Sequence, residues 1–143
     1  MTIEELKQRL EGIKWIDKEI CSLYLELQYL DTGLFKQTTL TQSRVQTSRA
    51  NSSESQLVAQ LAIKEDITNR IDRLTTERLE LISMIDTLRN PKYRLALNLY
   101  YVQHKLDIEV SEIMGISRTT FFRYLRQGQA ELVRLLTHAE KEN

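Results

Sequence analysis

Along residues 1–30, apolar side chains recur at alternating spacings of three and four. Ile3, Leu6, Leu10, Ile13, Asp17, Ile20, Tyr24 and Leu27 form one row with Asp17 as its polar exception, and Ile16, Leu23 and Leu30 flank it. Side chains spaced this way share a helix face, so the pattern predicts one helix over residues 2–30 whose stripe is broad enough for more than one neighbour. Thr2 and Glu5 stand at capping-box spacing. A second row, Ile67, Ile71, Leu74, Arg78, Leu81, Ile85 and Leu88, predicts another helix ending near Arg89. Leu57, Val58 and Leu61 extend it upstream, and Ser53 with Gln56 suggests its start. Residues 31–55 lose the period and turn to Thr, Ser and Gln. Such a stretch buries too little to offset its ordering entropy, and a flexible loop is expected.

Two heptad-like helices joined by a loop most simply form an antiparallel hairpin. Setting Ile3 beside Leu88 brings Asp17 opposite Leu74, about one turn from Arg78. Two readings stay open: a register-setting ion pair of Asp17 with Arg78 or Arg73, or a solvated edge.

Asn90-Pro91 ends the long helix and opens the next, because the residue before proline avoids the α region while proline suits the first helical position. The domain boundary is expected here, with the hairpin over residues 1–90 and a second domain over residues 91–143. Residues 91–103 are apolar nearly all round, with Tyr93, Tyr100 and Tyr101 expected in the core. After them Asp107 is expected to cap a short helix over residues 108–114. Ser111 gives room for a close helix crossing, Gly115 permits the positive φ of a turn, Ile116 fills the angle, and Ser117 caps a helix over residues 117–136. Phe121, Tyr124, Leu125, Gly128, Leu132 and Leu135 mark its inner face. Helix, glycine turn and second helix make a helix-turn-helix in an all-α protein.

The opposite face carries Arg118, Thr119, Thr120, Phe122, Arg123, Arg126 and Gln127. In a major groove, Arg118, Thr119, Phe122 and Arg123 are expected to reach base edges, and Thr120, Arg126 and Gln127 to hold the backbone. Whole-chain charge adds nothing, since 20 basic residues balance 20 acidic ones. The positive field is local: between residues 118 and 134, Arg118, Arg123, Arg126 and Arg134 face only Glu131.

Other chemistries find little support. His104 and His138 lack ligand companions at metal spacing, and no phosphate loop, nucleophile elbow or Cys-His arrangement is present, so neither enzyme, metal nor cofactor is expected. Cys21 is alone, which suits a reducing compartment. No apolar run suits a membrane span and the N-terminus does not read as a leader, so a cytoplasmic protein is expected.

The stretches NPKYRLALNLYY and EVSEIMGISRTTFFRYLRQGQAEL, placed after a helical hairpin and a polar loop, resemble the ArpU/RinA-type phage transcriptional regulators, whose C-terminal part is similar to the region 4 helix-turn-helix of sigma factors. The family pattern is met by Val110, Ser111, Met114, Gly115, Ile116, Ser117, Thr120, Phe121 and Arg123. Ser111 stands where alanine is usual and Phe121 where valine is usual, and the segment between Leu106 and Val110 is one residue short. The resemblance implies control of late or packaging genes in a prophage and contact with host RNA polymerase. The expected function is therefore sequence-specific binding of double-stranded DNA by a homo-oligomer, a dimer through the hairpin. The alternatives are a small-terminase-like packaging adaptor and a coiled-coil interaction module.

Overall fold

The computed structural model of the protein describes residues 1–34 and 49–142, with side chains described outside residues 33–53. The fold is all-α. Helix α1 (Ile3–Tyr29) ends in a π turn (Leu30–Leu34), and α2 spans Arg49–Asp86. Helix α3 (Pro91–Leu97) also runs into a π turn (Asn98–Val102), followed by α4 (Asp107–Met114) and α5 (Arg118–Glu142). These residues group into two compact units, Met1–Asp17 with Thr76–Asn143, and Lys18–Thr75. Helix α2 stops at Asp86, short of the expected end near Arg89, while α3 opens at Pro91 as the sequence suggests, and the contacts group the last turns of α2 with the helices that follow.

In the unit Lys18–Thr75, Leu23 and Leu30 of α1 bury against Ile67 and Ile71 of α2, with Ile20, Leu27 and Leu74 packed around them. Ion pairs Lys64–Asp31 and Arg70–Glu19 show the helices running antiparallel. The buried row differs from the expected one at both ends. Tyr24 is exposed and the flanking Leu23 is buried instead; on α2, Leu57, Val58 and Leu61 are exposed and Gln60 is buried. Apolarity alone overcounted the face, because a long helix offers three or four adjacent rows and a single partner covers only one or two. The loop expected over residues 31–55 is also shorter. Residues 31–34 complete a π turn and α2 begins at Arg49, so Ser53 and Gln56 lie within a helix and do not start one. The remaining loop positions, 35–48, fall outside the described residues.

In the other unit Thr2 and Glu5 close the capping box at the head of α1, each backbone N–H bonding the other's side chain at 3.4 and 3.2 Å. Leu6, Leu10, Ile13 and Ile16 of α1 are buried, as are Leu81, Met84 and Ile85 of α2 and Leu88 just after it. At the edge of this row Arg78 Nε donates to Asp17 Oδ1 at 2.6 Å, so Asp17 is paired and its partner is Arg78, with both side chains partly exposed. That is one turn away from the Leu74 register. A histidine joins them: His104 Nε2 lies 2.7 Å from Asp17 Oδ2. His104 has φ +58°, a left-handed conformation that histidine adopts more readily than most residues, and Lys105 N–H then closes on the Leu99 carbonyl at 3.0 Å. Asp17 thereby ties α1 to α2 and to the segment that leads into the helix-turn-helix.

Candidate nucleic-acid interface

Asn90 accepts from Lys92 N–H at 3.0 Å, Pro91 takes the first helical position, and Arg94 Nη1 reaches back to the Leu88 carbonyl at 2.9 Å. These bonds start α3, which then crosses α5 closely. A Cβ at Gly128 would stand 3.1 Å from Leu97 Cδ1 and 3.2 Å from Tyr93 Cβ, so glycine lets the two helices approach this far without crowding either side chain. Phe121, Leu125, Gly128 and Leu132 form the buried face of α5, as the spacing predicts, with Tyr124 and Leu135 half-buried. Gln129 joins that face: its Nε2 donates to the Tyr101 hydroxyl at 2.7 Å. Burial first, then Tyr100 and Glu11, push the Tyr101 phenol well above its ordinary value, outweighing the Gln129 bond. Tyr101 is therefore a neutral, bonded core group.

The turn between α4 and α5 has the predicted geometry. Gly115 has φ +67°, its N–H bonds the Glu112 carbonyl at 3.3 Å, and Ile116 N–H bonds the Ser111 carbonyl at 3.0 Å. This pair of bonds satisfies the last carbonyls of α4, and a side chain at residue 115 would strain the left-handed backbone. Ser111 is buried and its hydroxyl donates to the Asp107 carbonyl at 2.8 Å. Ser117 Oγ accepts from Thr120 N–H at 3.1 Å and so caps α5. The cap of α4 needs correcting. Leu106 holds the cap position without a side-chain acceptor, and Asp107 is the first helical residue. Its Oδ1 accepts from Ile108 N–H at 2.9 Å while Oδ2 is free to face α5. The apolar spacing of α4 favours packing at Ile113, but that side chain is exposed.

Arg118 uses that second oxygen. Its Nε and Nη2 both donate to Asp107 Oδ2, at 3.1 and 2.6 Å, and this bond foremost, aided by the Ile108 N–H and the Arg118 charge, holds the Asp107 carboxyl below its ordinary value despite desolvation. The guanidinium is still exposed, with its Nη1 end uncommitted to Asp107. Thr119, Arg123, Arg126 and Gln127 are exposed, and Thr120 is half-buried with its hydroxyl 2.9 Å from Ser117 Oγ. Arg123 lies over the Tyr124 ring at 5.7 Å. Gln127 accepts from the Tyr93 hydroxyl at 2.8 Å, which leaves its amide N–H groups for an outside acceptor.

Phe122 is 39% exposed and its ring rests 5.2 Å from that of Phe121. Together with Thr119 and Arg126 it lines a groove of about 550 Å³ opposite Lys7 and Glu11 of α1. Helix α1 thus walls one flank of α5, and Arg118, Arg123 and Gln127 lie outside that groove. Nothing in the sequence links Lys7 or Glu11 to α5, because their proximity follows from tertiary packing over a separation of more than a hundred residues. His138 pairs with Glu142 at 3.5 Å, four residues on along the same helix. No described helix is long and apolar enough to cross a membrane.

An all-α chain that ends in a helix-turn-helix with an arginine-bearing outer face is the class these elements define. The chain belongs to the family described as Protein of unknown function (DUF1492), whose pattern matches residues 34–133. That match takes in α2, α3, α4 and most of α5, and leaves α1 outside. No curated protein and no solved structure matches the chain.

Proposed function

We propose that the protein is a sequence-specific regulator of transcription that inserts the first turns of α5 into the major groove of double-stranded DNA. The observation that carries this reading is the outward face of Arg118, Arg123 and Gln127, presented after the left-handed turn at Gly115 and free of the flanking groove, with Thr119 exposed at the groove's edge. Arg118 and Arg123 suit guanine edges, which accept two parallel N–H bonds, and Thr119 suits a base edge or methyl. Thr120, Arg126, Gln127 and the N-terminus of α5 suit phosphates. Phe122 is the base-reading candidate most committed to the protein's own groove, and its role is the smallest of the set.

The resemblance to ArpU/RinA-type phage regulators, with their sigma-region-4-like reader, supports control of prophage late genes and contact with host RNA polymerase. One three-helix reader makes few contacts, and specific affinity usually draws on two half-sites. Tyr24, Leu25, Tyr29, Leu57, Val58 and Leu61 are exposed on the unit Lys18–Thr75, and such side chains favour self-association through the hairpin. The role is non-catalytic and cytoplasmic. The experiment is selection of bound fragments from genomic DNA by the full chain, followed by Arg123→Ala. The substitution is expected to relax preference at one base position, at a cost of about 1–3 kcal/mol in discrimination. Undiminished preference removes Arg123 from the reading set, and absence of any selected fragment at low salt removes the proposal. Mass in solution separates a dimeric regulator from a ring-forming packaging adaptor.

A further inference from the structure

Arg134 and Lys141 continue the outward row of α5 beyond the residues assigned so far. At about 100° per residue, Arg123, Gln127, Arg134, His138 and Lys141, at spacings of four, seven, four and three, point the same way from the helix axis. The last three, with Arg89 just after α2 and Leu135 below them, line a concavity of about 590 Å³. Arg89, Arg134 and Lys141 are exposed and make no ion pair among the described residues, while His138 is held by Glu142. Glu131, half-buried at the rim, is the one carboxylate that lines the concavity. Three cations around a single carboxylate leave the concavity with excess positive charge, and an anion that bridges them relieves their repulsion.

Resting on the DNA-reading role above, we infer that Arg89, Arg134 and Lys141 form a second phosphate-binding patch, which grips the duplex backbone outside the bases that the first turns of α5 read. The row from Arg123 to Lys141 spans about 27 Å of helix at 1.5 Å per residue, or about eight base pairs of duplex axis at 3.4 Å each. The stretch from Arg134 to Lys141, about 10 Å, is long enough to meet more than one phosphate of a strand. The patch adds affinity and length of footprint and carries no sequence preference, because phosphates are the same at every position.

The test uses the full chain, a fragment selected by the wild-type protein, and the same fragment trimmed by about eight base pairs on the side of the patch. Affinity is measured against salt for wild type and for Arg89→Gln/Arg134→Gln/Lys141→Gln, whose exposed positions leave the fold intact by circular dichroism. On the long fragment the variant is expected to lower the slope of log affinity against log salt by about 2 to 3, at roughly 0.9 per lost phosphate. On the trimmed fragment the two proteins are expected to bind alike, with base preference unchanged throughout. Arg89→Lys/Arg134→Lys is expected to restore the slope. An unchanged slope on the long fragment, or an equal loss on both, overturns the patch even while Arg123-dependent preference upholds the reader. A melting temperature raised by inorganic phosphate in the wild type alone, with no change of slope, assigns the patch to a free anion and also overturns it. Failure of the wild type to bind any duplex sinks both.

Discussion

The helix-turn-helix and the unit Lys18–Thr75 are built from the same kind of helix and held in different ways. Around Gly115 every backbone end is closed: Gly115 and Ile116 bond back onto α4, Ser117 caps α5, and Phe121, Val110 and Leu132 are fully buried. The unit Lys18–Thr75 rests on Leu23, Leu30, Ile67 and Ile71, with exposed Tyr24, Leu25 and Leu61 beside them. The proposed DNA-reading role would require the helix-turn-helix to hold side chains within fractions of an ångström of a base edge, whereas a self-association role asks the hairpin only to stay helical and offer a sticky side. The contrast is one of specification: capped turns and interlocking aromatics on one side, a thin apolar seam on the other.

The largest expected effect tests that contrast directly. Phe121→Ala removes a fully buried ring that meets Tyr100 at 5.6 Å and Phe122 at 5.2 Å, and is expected to cost about 3–5 kcal/mol in denaturant unfolding. Leu30→Ala, at the thinner seam, is expected to cost about 2 kcal/mol, the low end for a leucine whose surroundings can collapse into the gap. Equal costs would mean that the two regions are packed alike, and the comparison would fall.

How much of this was legible follows the same division. The turn was readable residue by residue, because Gly115 and Ser117 act through their own backbone and leave a local signature. The buried row of α5 was readable too, except for Gln129, whose burial is tolerable only because the Tyr101 hydroxyl accepts its amide N–H. The hairpin was readable as a pair of helices but not in its register, since Leu61 and Gln60 differ in exposure by which row meets the partner and not by any local cue. Phe122 shows the limit at the site. Its place on the outer face of α5 is local, but the groove that it shares with Lys7 and Glu11 depends on where α1 runs. His104 could have been suspected only by asking which side chain might reach an acid in the middle of an apolar row.

A smaller effect is expected at that acid. Asp17 is about a quarter exposed and accepts from Arg78 at 2.6 Å with His104 at 2.7 Å, so it joins α1 to both α2 and the segment leading into the helix-turn-helix. A double-mutant cycle of Asp17→Ala and Arg78→Ala is expected to give a coupling of about 1 kcal/mol, more than an exposed pair and less than a fully buried one. The same cycle on Glu19 and Arg70, 3.7 Å apart and half exposed, is expected to give near zero. If the two cycles agreed, the Asp17 junction would be an ordinary surface contact, and its link to His104 would have no structural weight.

The smallest effect is read in pH. The Arg118 bond holds the Asp107 carboxyl below its ordinary value. An acid depressed in the folded state adds stability that is full above its unfolded value, about 3.9, and is lost as pH falls through the lower folded one. The wild type should therefore lose its margin over Asp107→Asn as the solution is taken from neutrality to well below the ordinary carboxylate range, since the folded value is depressed. Thermal melts of both proteins at pH 7 and in acid check this, and the difference between them cancels the titration of every other carboxylate. A constant difference would show that Asp107 acts only through its backbone position at the head of α4. A vanishing one would show that its charge holds Arg118 in place. In that case the variant's freed guanidinium is also expected to steepen the salt dependence of DNA binding by up to about 0.9, the worth of one added phosphate contact.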